Sequence, residues 1–199
     1  MLRLLPVLLC ALLITACAAP EAPEAPDAPE PVAEAAPEAP AEPEAPAGLF
    51  LGLSGDGIQV IDGNTGSARM IAFETGREQV QTVVTNLLGE PSTSGVNEEC
   101  GAGPLGYTNW PNGFTLHFAE HSFVGWAYGA NADDANLTNM AGIGIGSTLA
   151  DIEEVMTVNI EDTTIGPLAD VGGMYSVLTG TDATAEITDM WAGVGCVFF

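Results

Sequence analysis

Positions 18–47 consist almost wholly of Ala, Pro and Glu, in units such as Pro20-Glu21-Ala22-Pro23-Glu24-Ala25. Such a composition cannot bury enough apolar area to offset the entropy of ordering it, so the segment is expected to stay unfolded. Recurrent Pro forbids a regular helix and favours polyproline II at ~3.1 Å per residue, a reach of at most about 90 Å. Repelling carboxylates extend this tether and keep it off anionic surfaces. Pro-rich sequence also serves as a ligand for aromatic grooves, but a spacer is its commoner role. Folding is thereby confined to residues 48–199, one domain of ordinary size.

The first sixteen residues carry one charge, Arg3, followed by an apolar stretch at 4–14. That stretch is too short to span ~30 Å of hydrocarbon as a helix and fits a signal h-region. An uncut N-terminal anchor is the alternative. The run Leu13-Ile14-Thr15-Ala16-Cys17 reads as a lipobox, which predicts cleavage before Cys17, a diacylglycerol on its thiol and acylation of its new amino group. At about 0.8 kcal/mol per buried methylene, several acyl chains hold a domain to a membrane stably. Ala18, rather than Asp, follows the lipidated Cys and favours the periplasmic face of the outer membrane. The expected organisation is a signal peptide at 1–16, lipidated Cys17 and tether at 17–47, and an α+β domain at 48–199.

The chain's formal net charge is −24, and beyond Arg3 only Arg69 and Arg77 are cationic. A nucleic-acid partner is excluded, since phosphate binding needs clustered cations. The acidity attracts cationic partners or simply solvates the surface in salty surroundings. Asp56, Asp62, Asn64, Asp133, Asp134 and Asn136 are candidate calcium ligands without the spacing of an EF-hand loop. No cofactor is expected. With Cys10 lost in the signal and Cys17 lipidated, Cys100 and Cys196 remain, and an oxidising compartment makes a disulfide the default.

Two stretches share a pattern. Ile71-Ala72-Phe73-Glu74-Thr75 leads into Val80, Val83, Val84, Leu87 and Leu88, one stripe of an amphipathic helix. Thr75 with Glu78 predicts a capping box, and Gly89 and Pro91 a stop. Ile143-Gly144-Ile145-Gly146-Ser147 similarly precedes Ile152, Val155 and Met156, with Thr148 and Asp151 as the N-cap pair. Alternating strands follow each helix, at 113–118 and 123–129, then at 173–178 and 187–193, and Trp126-Ala127-Tyr128-Gly129 echoes Trp191-Ala192-Gly193. Gly63-Asn64-Thr65-Gly66 predicts a separate hairpin turn, and residues 196–199 a last strand. The expected fold is α+β: two helix-then-antiparallel-meander halves, at about 71–129 and 143–193, with the helices packed on one sheet face.

This order resembles the beta-lactamase inhibitor protein fold and the small lipoproteins of outer-membrane protein assembly. The likeness rests on Gly146-Ser147-Thr148 at a helix entry, Leu88-Gly89 and Pro91 at a helix exit, and the aromatic strands. The block Glu99-Cys100-Gly101-Ala102-Gly103-Pro104, Trp110, Gly113-Phe114-Thr115-Leu116, Phe123-Val124-Gly125-Trp126, Leu137-Thr138 and Gly142-Ile143-Gly144 resembles a family of uncharacterised bacterial envelope proteins. That likeness covers most of residues 48–199 and brings no activity with it. The wider likeness implies protein–protein binding rather than catalysis.

An enzyme reading needs Cys100 as a thiolate nucleophile with His117 or His121 as base. Cys196 competes for that thiol, and no nucleophile elbow or metal motif accompanies it. A His117–Glu120–His121 metal site and a protease- or enzyme-inhibitor domain are further alternatives. His117 alternates with Phe114, Leu116 and Phe118, which places it beside Thr115 on the face away from the core. A binder reading draws on Tyr107, Trp110, Trp126, Tyr128, Tyr175 and Trp191, since interfaces use aromatic anchors. The sequence therefore predicts a non-catalytic, lipid-anchored domain binding an envelope protein partner, with Trp110, Trp126, Tyr128 and His117 as candidate contacts.

Overall fold

The computed structural model describes residues 48–129 and 137–196. Cys17, the tether, Asp133, Asp134, Asn136 and residues 197–199 lie outside them.

The chain begins with three strands, β1 (Leu49–Ser54), β2 (Gly57–Asp62) and β3 (Ala68–Ala72), which form an antiparallel three-stranded sheet in that order. The β2–β3 turn is the hairpin expected from Gly63-Asn64-Thr65-Gly66, with the Asp62 carboxylate accepting from the N–H groups of Asn64 (2.8 Å) and Thr65 (3.2 Å). Those two bonds hold the Asp62 pKa below the usual carboxylate value.

Helix α1 (Arg77–Leu88) follows, then β4 (Thr93–Asn97), β5 (Leu105–Asn109), β6 (Phe114–Ala119) and β7 (Ser122–Gly129). After the second described segment begins, α2 (Leu149–Val155) precedes β8 (Ile160–Thr163), β9 (Gly166–Asp170), β10 (Tyr175–Leu178) and β11 (Ile187–Gly193). These eight strands make one antiparallel sheet, ordered β4-β5-β6-β7-β11-β10-β9-β8.

The expected α+β layout of two helix-plus-meander halves is thus corrected. Among the described residues the domain is mostly β, with strands in two sheets and only two helices, of 12 and 7 residues. The expectation failed because 93–97, 105–109, 160–163 and 166–170 carry no clear apolar alternation, yet they complete the large sheet.

The core lies on one face of that sheet, and register assigns it. Phe114, Tyr128, Met190, Ser176, Ala169 and Ile160 are successive cross-strand partners, and so are Thr108, Leu116, Trp126 and Ala192. Opposed residues share a face. Against these rows pack Leu51, Leu53, Ile58 and Ile71 of the small sheet, Val80 and Val84 of α1, and Leu149 and Ile152 of α2. Val83, Leu87 and Leu88 of the predicted stripe are half-buried against the same core, whereas Val155 is 50 % exposed.

The two helix starts differ. Thr148 caps α2 as expected, accepting from Asp151 N–H at 3.2 Å while Asp151 accepts from Thr148 N–H at 2.7 Å. At α1 the N-cap is Gly76 without a side-chain cap, and the Thr75 hydroxyl donates to the Ala72 carbonyl instead, 2.7 Å.

Candidate functional site

The other face of the large sheet is not covered by either helix, and the same register defines what it displays. One row across it runs Thr93, Asn109, Thr115, Ala127, Trp191 and Tyr175. A second runs Gly95, Tyr107, His117, Gly125 and Gly193, and a third Gly129, Asp189, Val177, Leu168 and Glu161. On this face β7 presents Gly125, Ala127 and Gly129 and β6 presents Thr115 and His117, with Tyr107 on one flank and Trp191 and Tyr175 on the other. The face is a trough with aromatic walls.

Two hollows lie in it and meet at Thr115. The larger, about 700 Å³, is lined by residues of β4, β5 and β6 together with Glu98, Glu99 and Cys196. The smaller, about 380 Å³, is lined by Ala127, Gly129, Val177, Asp189 and Trp191 among others. Below the second, Leu168, Val177 and Trp191 form an apolar cluster separate from the main core. Tyr175 stacks on Trp191 with ring centroids 5.6 Å apart, and is itself 42 % exposed.

Residues 193–196 cross one end of the face. Gly193, at φ 71°, turns the chain out of β11, and Val194 N–H then donates to the Val124 carbonyl, 2.8 Å. A Cβ on Gly125 would collide with the Val194 backbone, so glycine there permits the crossing. The crossing brings Cys196 to Cys100 at disulfide distance, with Cα atoms 5.3 Å apart, over a small cluster with Leu105 and Val124.

His117 takes the position expected from alternation. It is 9 % exposed, lines the larger hollow, and its Nδ1 is buried without a hydrogen-bond partner. Burial pushes its pKa from 6.5 down to about 4, because nothing offsets the desolvation of a charged ring. A folded-state pKa below the unfolded one means this stabilisation is whole above about pH 6.5 and is lost as pH falls towards 4. Denaturation at pH 7.5 and pH 4.5 should show His117→Gln escaping about 2–3 kcal/mol of the wild type's loss of stability. An identical loss in both proteins would place the titration elsewhere.

The three aromatic candidates do not stand on this face, which corrects the expectation. Trp110, Trp126 and Tyr128 are 2 %, 0 % and 2 % exposed. Trp126 and Tyr128 share the parity of Leu116 and Phe114, their β6 partners, and so point into the core. Each indole N–H is satisfied there, Trp110 donating to the Gly89 carbonyl and Trp126 to that of Ser54, both at 2.9 Å. Burial also raises the Tyr128 pKa. The aromatics available to a partner on this face are instead Tyr175, exposed, and Tyr107, half-buried.

His121 is exposed in the β6–β7 turn, beside Gly76, Arg77 and Glu78. It does not join His117: the two line different hollows. Among the described residues no three His, Cys, Asp or Glu side chains converge as a metal site would require. Comparisons with protein-family models, with curated proteins and with solved structures return no match for this chain.

Proposed function

We propose that this chain is an envelope lipoprotein, cleaved before and acylated at Cys17, whose domain binds a protein partner on the open face of its large sheet and performs no catalysis. The observation that carries the reading is Tyr175, which stands 42 % exposed on the sheet face that neither helix covers and stacks on Trp191 with ring centroids 5.6 Å apart. An exposed aromatic on an open sheet face is the kind of anchor that interfaces use. The lipobox at 13–17 carries the envelope part of the reading. Against the enzyme alternative, the Cys100 sulfur is at disulfide distance from Cys196, and His117, its pKa pushed by burial to about 4, is a weak base.

Two measurements test this. Cys17→Ser should leave uncleaved precursor without palmitate labelling; normal processing to a free periplasmic protein would remove the anchor. A photo-cross-linking residue at position 175 should yield a discrete protein adduct in intact cells that one at Thr82, exposed on α1, does not. Tyr175→Ala should then weaken partner binding by ~2 kcal/mol or more with little change in melting temperature. No adduct at 175, or equal adducts at both positions, defeats the interface.

A further inference from the structure

The large sheet ends in two edges of opposite character. Edge strand β8 carries Glu161 and Asp162, both exposed, and such charges are how free edges resist pairing with other chains. Edge strand β4, Thr93-Ser94-Gly95-Val96-Asn97, has no charge and no proline. Among the described residues only β5 pairs with it, and Val96 is 55 % exposed. Such a strand offers its outer N–H and C=O groups to any extended segment.

The larger hollow opens beside this edge. Val96 and Asn97 belong to its lining, as do Glu98, Glu99, Tyr107 and His117. Two exposed carboxylates therefore stand on the rim, and the lining holds no Lys or Arg. His117 adds a polar ring, nine-tenths buried, whose Nδ1 has no partner. Burial keeps that ring neutral at ordinary pH, so it does not offset the negative rim. A cation entering here would meet two carboxylates beside a tyrosine.

We propose that β4 is the docking edge for an extended basic segment of a partner protein, which adds as a further strand and lays a Lys or Arg side chain in the hollow against Glu98 and Glu99. The proposal rests on the binder reading above and names the partner's chemistry. A second copy of this chain fits poorly, because two chains of net charge −24 repel one another. Alternation within the added strand would send every second side chain over the trough.

The probes are acetyl-Lys-Val-Lys-Val-Lys-Val-amide and its counterpart with Glu for Lys, added to the full chain in non-ionic detergent. The Lys peptide should slow amide exchange at residues 93–97, and lose about tenfold in affinity in the Glu98→Gln/Glu99→Gln variant, and likewise in Val96→Lys. The Glu peptide should leave exchange unchanged. Melting temperatures near wild type would show that both variants fold. Unchanged exchange with the Lys peptide, or equal effects of the two peptides, overturns the proposal. Slow exchange at 93–97 in the free chain also overturns it, because the edge is then filled by this chain or by a second copy. An adduct at position 175 with a silent β4 edge defeats this proposal while leaving the binder reading standing.

Discussion

Replacing Cys100 and Cys196 by serine is expected to lower the stability of the domain by about 4–5 kcal/mol, the chain-entropy value for a cross-link closing a loop of this size. The two positions are 96 residues apart in sequence, so the link constrains most of the unfolded domain. The local consequence bears on the site. Cys100 packs with Leu105 and Val124, and Cys196 anchors the segment that crosses Gly125 and walls the larger hollow. Losing the link should therefore speed amide exchange at residues 193–196 more than at β6, whose bonds lie inside the sheet. Denaturant titration followed by tryptophan fluorescence measures the first effect, and mass spectrometry of a non-reduced digest identifies the linked peptides. Two alkylatable thiols in the native protein would refute the link and return the thiol-enzyme reading to consideration.

How legible the fold was depended on whether a segment's own residues or its neighbours decided its structure. The strands at 114–119 and 122–129 were readable because Phe114, Leu116 and Phe118, then Trp126 and Tyr128, recur at alternate positions and meet one core face, and 187–193 from its likeness to 126–129. Helix α1 was readable from its stripe. Strand β5 was not, because its core-facing residues are Gly106 and Thr108. Thr108 is fully buried, with its hydroxyl accepting from Gln81 of α1 at 2.7 Å and from Ser94 of β4 at 3.1 Å. The polar edge β4 is a strand because β5 pairs with it, not because its sequence favours one.

The capping box expected at Thr75 failed for a similar reason. Glu74 N–H donates to the Phe123 carbonyl and Phe123 N–H to the Thr75 carbonyl, at 2.7 and 2.9 Å. That tertiary pairing places Gly76 at the helix entry and draws Thr75 away from it. Within the site, alternation was enough to put Thr115 and His117 on the outer face. Placing the aromatics required the β6–β7 register, which pairs Leu116 with Trp126 and Phe114 with Tyr128. A one-residue slip would have turned both aromatics outward.

That register also fixes the second large effect. Trp126→Ala should cost about 3–5 kcal/mol, as deleting a large aromatic from a closed core does. Trp126 is fully buried, lies 6.4 Å from the Phe114 ring, and donates its indole N–H to the Ser54 carbonyl at the end of β1. It therefore both fills the core and ties the small sheet to the large one. Trp126→Phe separates these roles: it keeps most of the apolar volume but removes the indole N–H bond to the Ser54 carbonyl, a loss of about 0.5–1.5 kcal/mol. Denaturant unfolding should rank wild type, Trp126→Phe and Trp126→Ala in falling stability. Conditions that keep both variants folded should leave their partner binding near wild type, the reverse of Tyr175→Ala. A Trp126→Ala protein of wild-type stability that no longer binds its partner would mean that β7 presents the opposite face to solvent. The open trough, and the docking edge beside it, would then be assigned to the wrong side of the sheet.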